Sequence, residues 1–208
     1  QSPRLSAKWP RLALELLAVA TPAYDKLIAA GHRGTNHGTL IGVVGCGTGL
    51  GTTTTAICLA LRSATHGAST LLVDADLASP SLAQRLELSV SSPWIRSLKD
   101  GISLERTIVS GGEVAIDLLL AEPQSERELD PWARFHVGNA AGQMRRRYLR
   151  TLIDLGHHLT EAFDIIAALA IDEIVVVSGP ATTAEELEQV VQSLASAGHH
   201  VTGIAKTN

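Results

Sequence analysis

Short apolar runs rich in β-branched residues recur along the chain and predict the buried strands of a mostly parallel sheet. These runs lie at 40–44, 69–76, 114–121, 163–166, 173–178 and 200–205. Stretches with apolar residues at helical spacing separate most of them, and such alternation of strand and helix is typical of α/β folds. The pattern therefore predicts a mostly parallel sheet that is sandwiched by helices.

The N-terminal residues form a separate unit in this prediction. Apolar positions at helical spacing from Pro10 to Ala30 indicate an amphipathic helix, which Pro22 interrupts. The glycine-rich residues 31–38 are typical of a linker. We therefore expect an N-terminal helical extension over 1–38, packed on the sheet or reaching towards another subunit. The α/β domain is expected over 39–208.

The second half of the chain is less sharply patterned. Residues 122–138 are polar and contain two prolines, which indicates a loop. Residues 139–159 have helical composition, and we interpret their basic cluster, Arg145–Arg147, as a solvated helix face or a contact with an acidic partner. A further helix is predicted over 184–194.

A glycine-rich loop follows the first strand of the α/β domain. Gly45, Gly47, Gly49 and Gly51 alternate, and the threonines 52–55 then lead into a helix. Glycines at this spacing suit neither a strand nor a helix, but they let main-chain amides approach an anion closely. Loop amides and a helix N-terminus together form a phosphate site. The stretch therefore predicts phosphate binding.

Two families fit this loop and imply different chemistry. The P-loop NTPases have the pattern Gly-x-x-x-x-Gly-Lys-[Ser/Thr], in which Thr52 here takes the place of the lysine and Cys46 that of the first glycine. The short-chain dehydrogenases have Gly-x-x-x-Gly-x-Gly, which Gly45, Gly49 and Gly51 match. A dehydrogenase also needs Tyr-x-x-x-Lys, and the partners of Tyr24 and Tyr148 at that spacing are not lysines.

Two carboxylates, Asp74 and Asp76, end the second predicted strand, two residues apart on the same side. Ligands bind at the carboxyl ends of strands in open α/β sheets. In an NTPase these acids would hold Mg²⁺ or orient water, and in a dehydrogenase one would bind the ribose. Alternatively, they cap a helix that starts near Ser79 and Pro80.

The segment Leu71–Leu88, with its Asp-x-Asp-Leu-x-x-Pro-x-Leu motif, resembles the acidic motif of the MinD/ParA-type deviant P-loop proteins. It is most similar to the bacterial tyrosine kinases (BY-kinases) of polysaccharide export. Trp94–Ile108 and Val114–Ala121 resemble the helices and the strand that follow in that family. The resemblance runs from about Thr39 to Asn208 and implies a P-loop NTPase-like fold of the SIMIBI or MinD type.

The resemblance implies binding of ATP or ADP with Mg²⁺. It assigns Thr53 and Asp74 to the metal, and Asp74 and Asp76 to catalysis. The implied nucleotide-binding residues are Gly47, Gly49, Leu50, Gly51, Thr52, Thr53, Thr54 and Asn208, with Thr207 aligning as well as Asn208 beside the base.

The chain also departs from the family in ways that put activity in doubt. The P-loop lysine is Thr52, and the second lysine of the MinD group falls on Gly47. The family's Mg²⁺-binding aspartate is expected after the run ending at Ile166, where none follows, so we expect an omitted segment near 166–167. The tyrosine-rich tail of the BY-kinases is not present either. Loss of a transition-state cation costs on the order of 10²-fold or more in rate, which predicts a pseudo-enzyme.

Composition limits the partners. The formal charge of −4 argues against general nucleic-acid binding, and the two cysteines suggest a reducing compartment. No apolar run is long enough to span a bilayer. We expect a cytoplasmic protein that self-associates and reaches the membrane through a polysaccharide co-polymerase or export protein. An active kinase completed by a partner's residue, and an interaction module without nucleotide, remain alternatives.

Overall fold

A seven-stranded sheet forms the centre of the computed structural model, which describes residues 7–30, 37–112, 114–123 and 129–207. Its strands are β1 (Thr39–Gly45), β2 (Thr70–Asp74), β3 (Val109–Ser110), β4 (Ile116–Leu119), β5 (Arg150–Asp154), β6 (Glu173–Ser178) and β7 (Val201–Lys206). They are ordered β3-β4-β2-β5-β1-β6-β7. Every neighbouring pair is parallel except β3 and β4.

Helices lie on both faces of this sheet. They are α1 (Arg11–Ala30), α2 (Thr52–Thr65), α3 (Leu82–Arg85), α4 (Trp94–Lys99), α5 (Leu104–Thr107), α6 (Pro131–Arg147), α7 (Leu159–Leu169) and α8 (Ala184–Ser196). In the parts of the chain with described coordinates, none of these helices is long and apolar enough to cross a membrane.

Apolar side chains fill the space between the sheet and each helical layer. Successive residues of a strand face opposite sides, so Leu71 and Val73 join one apolar cluster and Leu72 joins the other. The first cluster contains side chains of α4, α6 and α7, and the second contains those of α1 and α2. The predicted α/β fold with a mostly parallel sheet is confirmed.

The predicted helix over 139–159 was wrong in its second half. Helix α6 ends at Arg147, and Tyr148 already has an extended backbone. Residues 150–154 then form β5, which pairs with β1 on one side and β2 on the other. A central strand gains hydrogen bonds and burial on both sides, and this tertiary context outweighs local helix propensity.

The predicted strand over 163–166 was also wrong, because these residues lie inside α7. Ala162, Ile165, Ile166 and Leu169 are buried, a spacing with the period of a helix rather than a strand. The segment expected to be missing near 166–167 falls within this uninterrupted helix. A carboxylate that the sequence analysis did not single out, Asp154, stands at the end of β5.

Two further predictions failed at prolines. Helix α1 is 20 residues long and continues without a break through Pro22. The buried side chains of Tyr24 and Ile28 pack it against α2. The predicted loop over 122–138 contains the start of α6. There Asp130 accepts a hydrogen bond from Ala133 N at 2.7 Å, and Pro131 occupies the first turn, where a missing N–H costs nothing.

Candidate functional site

The glycine loop connects β1 to α2, as predicted, and leaves the first turn of α2 without a side-chain cap. Gly51 occupies the N-cap with φ of 85° and ψ of 23°, a left-handed conformation that favours glycine. Glycine has no side chain, so the N-cap residue makes no side-chain hydrogen bond to the first turn. In α8, by contrast, Thr183 and Glu186 form a capping box. The amides at the start of α2 are therefore available to an anion.

A cavity of about 350 Å³ lies over this loop. Residues 47–54, which contain all the predicted loop ligands, line it. Asp76, Ser81 and the last residue of α3, Arg85, line it as well. The structure thus brings the loop and Asp76 together. The predicted ligand Asn208 lies outside the described residues.

Asp154 is the site residue that the sequence analysis missed. It pairs in register with Asp74 at the ends of the adjacent strands β5 and β2, and both side chains are fully buried. Gly156 N donates to Asp154 Oδ1 at 3.2 Å. The hydroxyl of Thr53 lies beside the Asp154 carboxyl and lowers its pKa.

Burial dominates the electrostatics of these two acids. Desolvation raises the pKa of Asp154 to about 6, against the opposing effects of Thr53 and Gly156. Desolvation, followed by the charge of Asp154, raises the pKa of Asp74 well above its usual value. Asp74 Oδ1 and Asp154 Oδ2 are buried without a hydrogen-bond partner. A buried carboxylate without a counter-charge is costly, so this pair favours a cation.

Asp74 and Asp76 have different surroundings. Asp74 Oδ2 accepts a hydrogen bond from Leu82 N, at the start of α3, at 3.0 Å, so the capping alternative describes this acid. Asp76 Oδ1 accepts from Ser79 N at 2.9 Å, yet Asp76 also lines the cavity. Gly156, at φ of 65°, packs against it so closely that a Cβ would lie 2.2 Å from Asp76 Oδ2.

Neither position of the missing lysines carries a positive charge. Thr52 is buried, and its hydroxyl packs against Gly45, where a Cβ would lie 2.3 Å from Thr52 Oγ1. Gly47 faces open space apart from Leu50. Of the cavity-lining residues that the structure describes, Arg85 is the only lysine or arginine. His157 hydrogen-bonds to Thr48 of the loop at 2.9 Å.

A second cavity, of about 410 Å³, adjoins the loop at the ends of β6 and β7. Residues 178–180, Thr183 and Thr207 are among those that line it. Thr207 Oγ1 donates to Leu50 O at 3.0 Å, which ties the end of β7 to the glycine loop. This is the residue that aligned as well as Asn208 with the family's base-binding position.

Neither a protein-family model nor a curated protein sequence matches the chain. Solved structures do match. The kinase domain of VpsO has a TM-score of 0.76 at 25% identity, with 95% of this chain and 98% of that chain covered. The kinase domain of Escherichia coli tyrosine kinase ETK has a TM-score of 0.69 at 19% identity, covering 93% and 79%. MinD from Pyrococcus horikoshii, complexed with Mg-ADP, has a TM-score of 0.65 at 22% identity, covering 80% and 68%.

The chain has the fold of bacterial tyrosine kinase domains and MinD/ParA-type ATPases. The resemblance predicted from the sequence is therefore confirmed. In this chain β5 lies between β1 and β2. A dinucleotide-binding fold places its first two strands side by side, in the order 3-2-1-4-5-6. The observed strand order therefore rules out the short-chain dehydrogenase alternative.

Proposed function

We propose that this chain is a degenerate BY-kinase-like domain that binds the Mg²⁺ complex of ATP or ADP weakly and turns it over slowly or not at all. One observation supports this most strongly. The uncapped α2 N-terminus and the buried acids remain in place, while Thr52 and Gly47 stand where the lysines should be. The site keeps its main-chain anion cradle and loses its side-chain charge.

Phosphate binding would rest on the main chain. The amides of the loop and of the first turn of α2 are the donors, and the helix dipole favours an anion there. Thr53 and Asp154 would hold Mg²⁺. The ion would bind Asp154 Oδ2, which is buried without a hydrogen-bond partner. Mg²⁺ usually keeps several waters and combines one or two carboxylates with substrate phosphates. Within the described residues, no group of three or more His, Cys, Asp or Glu could hold a metal by itself.

Slow turnover follows from the same comparison. The P-loop lysine is a point charge on the β- and γ-phosphates, which carry developing charge during transfer. A threonine hydroxyl offers a hydrogen bond but no charge. Losing one such stabilising group costs on the order of 10²-fold or more in rate. Asp76, which lines the cavity, would still be placed to orient a nucleophile.

The cellular role is inferred from the family. The resemblance to BY-kinases points to a cytoplasmic component of envelope polysaccharide synthesis or export. In that role the domain would regulate or assemble with a membrane co-polymerase, and it would associate with further copies of itself. Nucleotide would then set the conformation that a partner recognises, rather than supply a phosphoryl group.

An active enzyme is the second candidate, and one observation favours it. Asp74 and Asp154 end the adjacent strands β2 and β5, and Asp76, two residues after Asp74, lines the cavity with the loop. A cation from a partner could restore turnover to such a site.

Titration of the protein with Mg-ATP and Mg-ADP, followed by a phosphate-release assay, separates these possibilities. We expect saturable binding, thermal stabilisation that grows with ligand excess, and turnover far below typical kinase rates. Turnover of about 1 s⁻¹ or faster would refute the pseudo-enzyme. Absence of binding would leave a nucleotide-free interaction module.

A further inference from the structure

Three acidic side chains lie in or behind the cavity. Asp76 lines the cavity, and the buried Asp74 and Asp154 lie at the strand ends behind it. A polyphosphate entering this space adds negative charge to a site that already carries it. Nearby cations offset repulsion of this kind, and the loop carries no lysine or arginine.

Arg85 lines the cavity and is tied to the glycine loop through Ser81. Its Nε donates to Ser81 Oγ at 3.3 Å, which uses one of the five N–H donors of the guanidinium. Ser81 Oγ lies 3.1 Å from Thr53 Oγ1, so a chain of polar contacts joins Arg85 to the first turn of α2. Its charge lowers the pKa of the Asp154 carboxyl.

The backbone that carries Arg85 is fixed relative to the acids. Leu82 N donates to Asp74 Oδ2, and the side chains of Leu82 and Leu86 are fully buried. Lys8 N donates to Leu86 O at 3.1 Å, just beyond α3. Arg85 therefore stands on an anchored turn, while its side chain remains exposed at the cavity.

We propose that Arg85 supplies the phosphate-binding cation that the loop has lost. It would donate to the polyphosphate of a nucleoside di- or triphosphate from the end of α3, beside the α2 N-terminus. A guanidinium suits this role because it offers several donors in a plane and keeps its charge. This proposal rests on the nucleotide-binding function proposed above.

The test compares Arg85→Ala with Arg106→Ala by calorimetric titration with Mg-ADP and with Mg-pyrophosphate. Arg106 is an exposed arginine on α5 that does not line the cavity. A hydrogen bond to a charged group corresponds to about tenfold or more in affinity. We expect Arg85→Ala to weaken both ligands by that factor, Arg85→Lys to weaken them less, and Arg106→Ala to leave them within about twofold.

A second arm tests whether Arg85 replaces the lysine. Thr52→Lys added to Arg85→Ala should restore the lost affinity, since either cation then serves the same phosphates. If wild-type protein binds and Arg85→Ala binds within about twofold of it, this inference is overturned while nucleotide binding stands. If the wild type binds neither ligand, both proposals fail. Unfolding of each variant without ligand is measured alongside, and Arg85→Gln takes the place of Arg85→Ala if the latter unfolds early.

Discussion

Asp154→Asn should make the ligand-free protein more stable. The folded state raises the pKa of Asp154 from 3.8 to about 6, so at pH 7.5 the folded protein holds an ionised carboxylate that it disfavours. Each pKa unit corresponds to 1.36 kcal/mol, and the full cost at that pH is therefore about 3 kcal/mol. Asparagine has nearly the same shape but no charge.

The pH dependence gives the sharper test. Between pH 4 and pH 6 the folded state binds more protons at Asp154 than the unfolded state does, so stability falls as pH rises through this range. Worked from the two pKa values, the loss attributable to Asp154 is about 1.4 kcal/mol between pH 5 and pH 7.5. Because Asp74 titrates with Asp154 as a pair, the wild-type and variant curves are compared directly.

Urea unfolding in EDTA at pH 5 and at pH 7.5 measures this effect. Asp154→Asn should gain stability at both pH values, with the larger gain at pH 7.5. Asp100→Asn, at an exposed position after α4, is the control and should change little. A variant less stable than the wild type at pH 7.5, or a gain that is the same at both pH values, would refute the argument. Asp154→Asn should also lose the Mg²⁺ dependence of nucleotide binding.

Two further predictions concern the packing and polarity of the site. Gly156→Ala places a Cβ 2.2 Å from Asp76 Oδ2 at φ of 65°, so urea unfolding should show a loss of several kcal/mol, beyond the cost of about 1–2 kcal/mol for a left-handed residue alone. Gly198→Ala, at φ of 83° with nothing within 4 Å, should show only that smaller loss, and equal losses would contradict the contact. Thr53→Val removes the hydroxyl beside Asp154, so calorimetry should find weaker Mg-ADP binding but little change for ADP in EDTA. Thr53→Ser should bind Mg-ADP as the wild type does. If Thr53→Val also bound Mg-ADP as tightly as the wild type, a metal role for Thr53 would be excluded.

Much of the sheet could be predicted because its strands are continuous apolar runs. β1, β2, β4 and β6 are buried along most of their length, and hydrophobicity alone identifies such strands. β5 was not predicted because its apolar run is short and follows the three arginines 145–147. A signal was available, since Leu152-Ile-Asp154 repeats the pattern of Leu72-Val-Asp74, an apolar pair that ends in an acid.

The candidate site was predictable where it depends on one segment. The loop residues and Asp76 line one cavity, as their positions at the carboxyl ends of the first two predicted strands suggested. The pairing of Asp74 with Asp154 depends on the strand order, because the two acids are 80 residues apart in the sequence. The position of Arg85 depends on how the turn of α3 packs, and no motif in the sequence marks it.

Thr52→Lys tests the central claim most directly, namely that an anion cradle remains where the charge was lost. Calorimetric titration with Mg-ADP compares it with the wild type. We predict weak but saturable binding by the wild type and an affinity higher by about tenfold or more in the variant. A folded variant with no gain in affinity, beside a wild type that does not bind, would contradict the account.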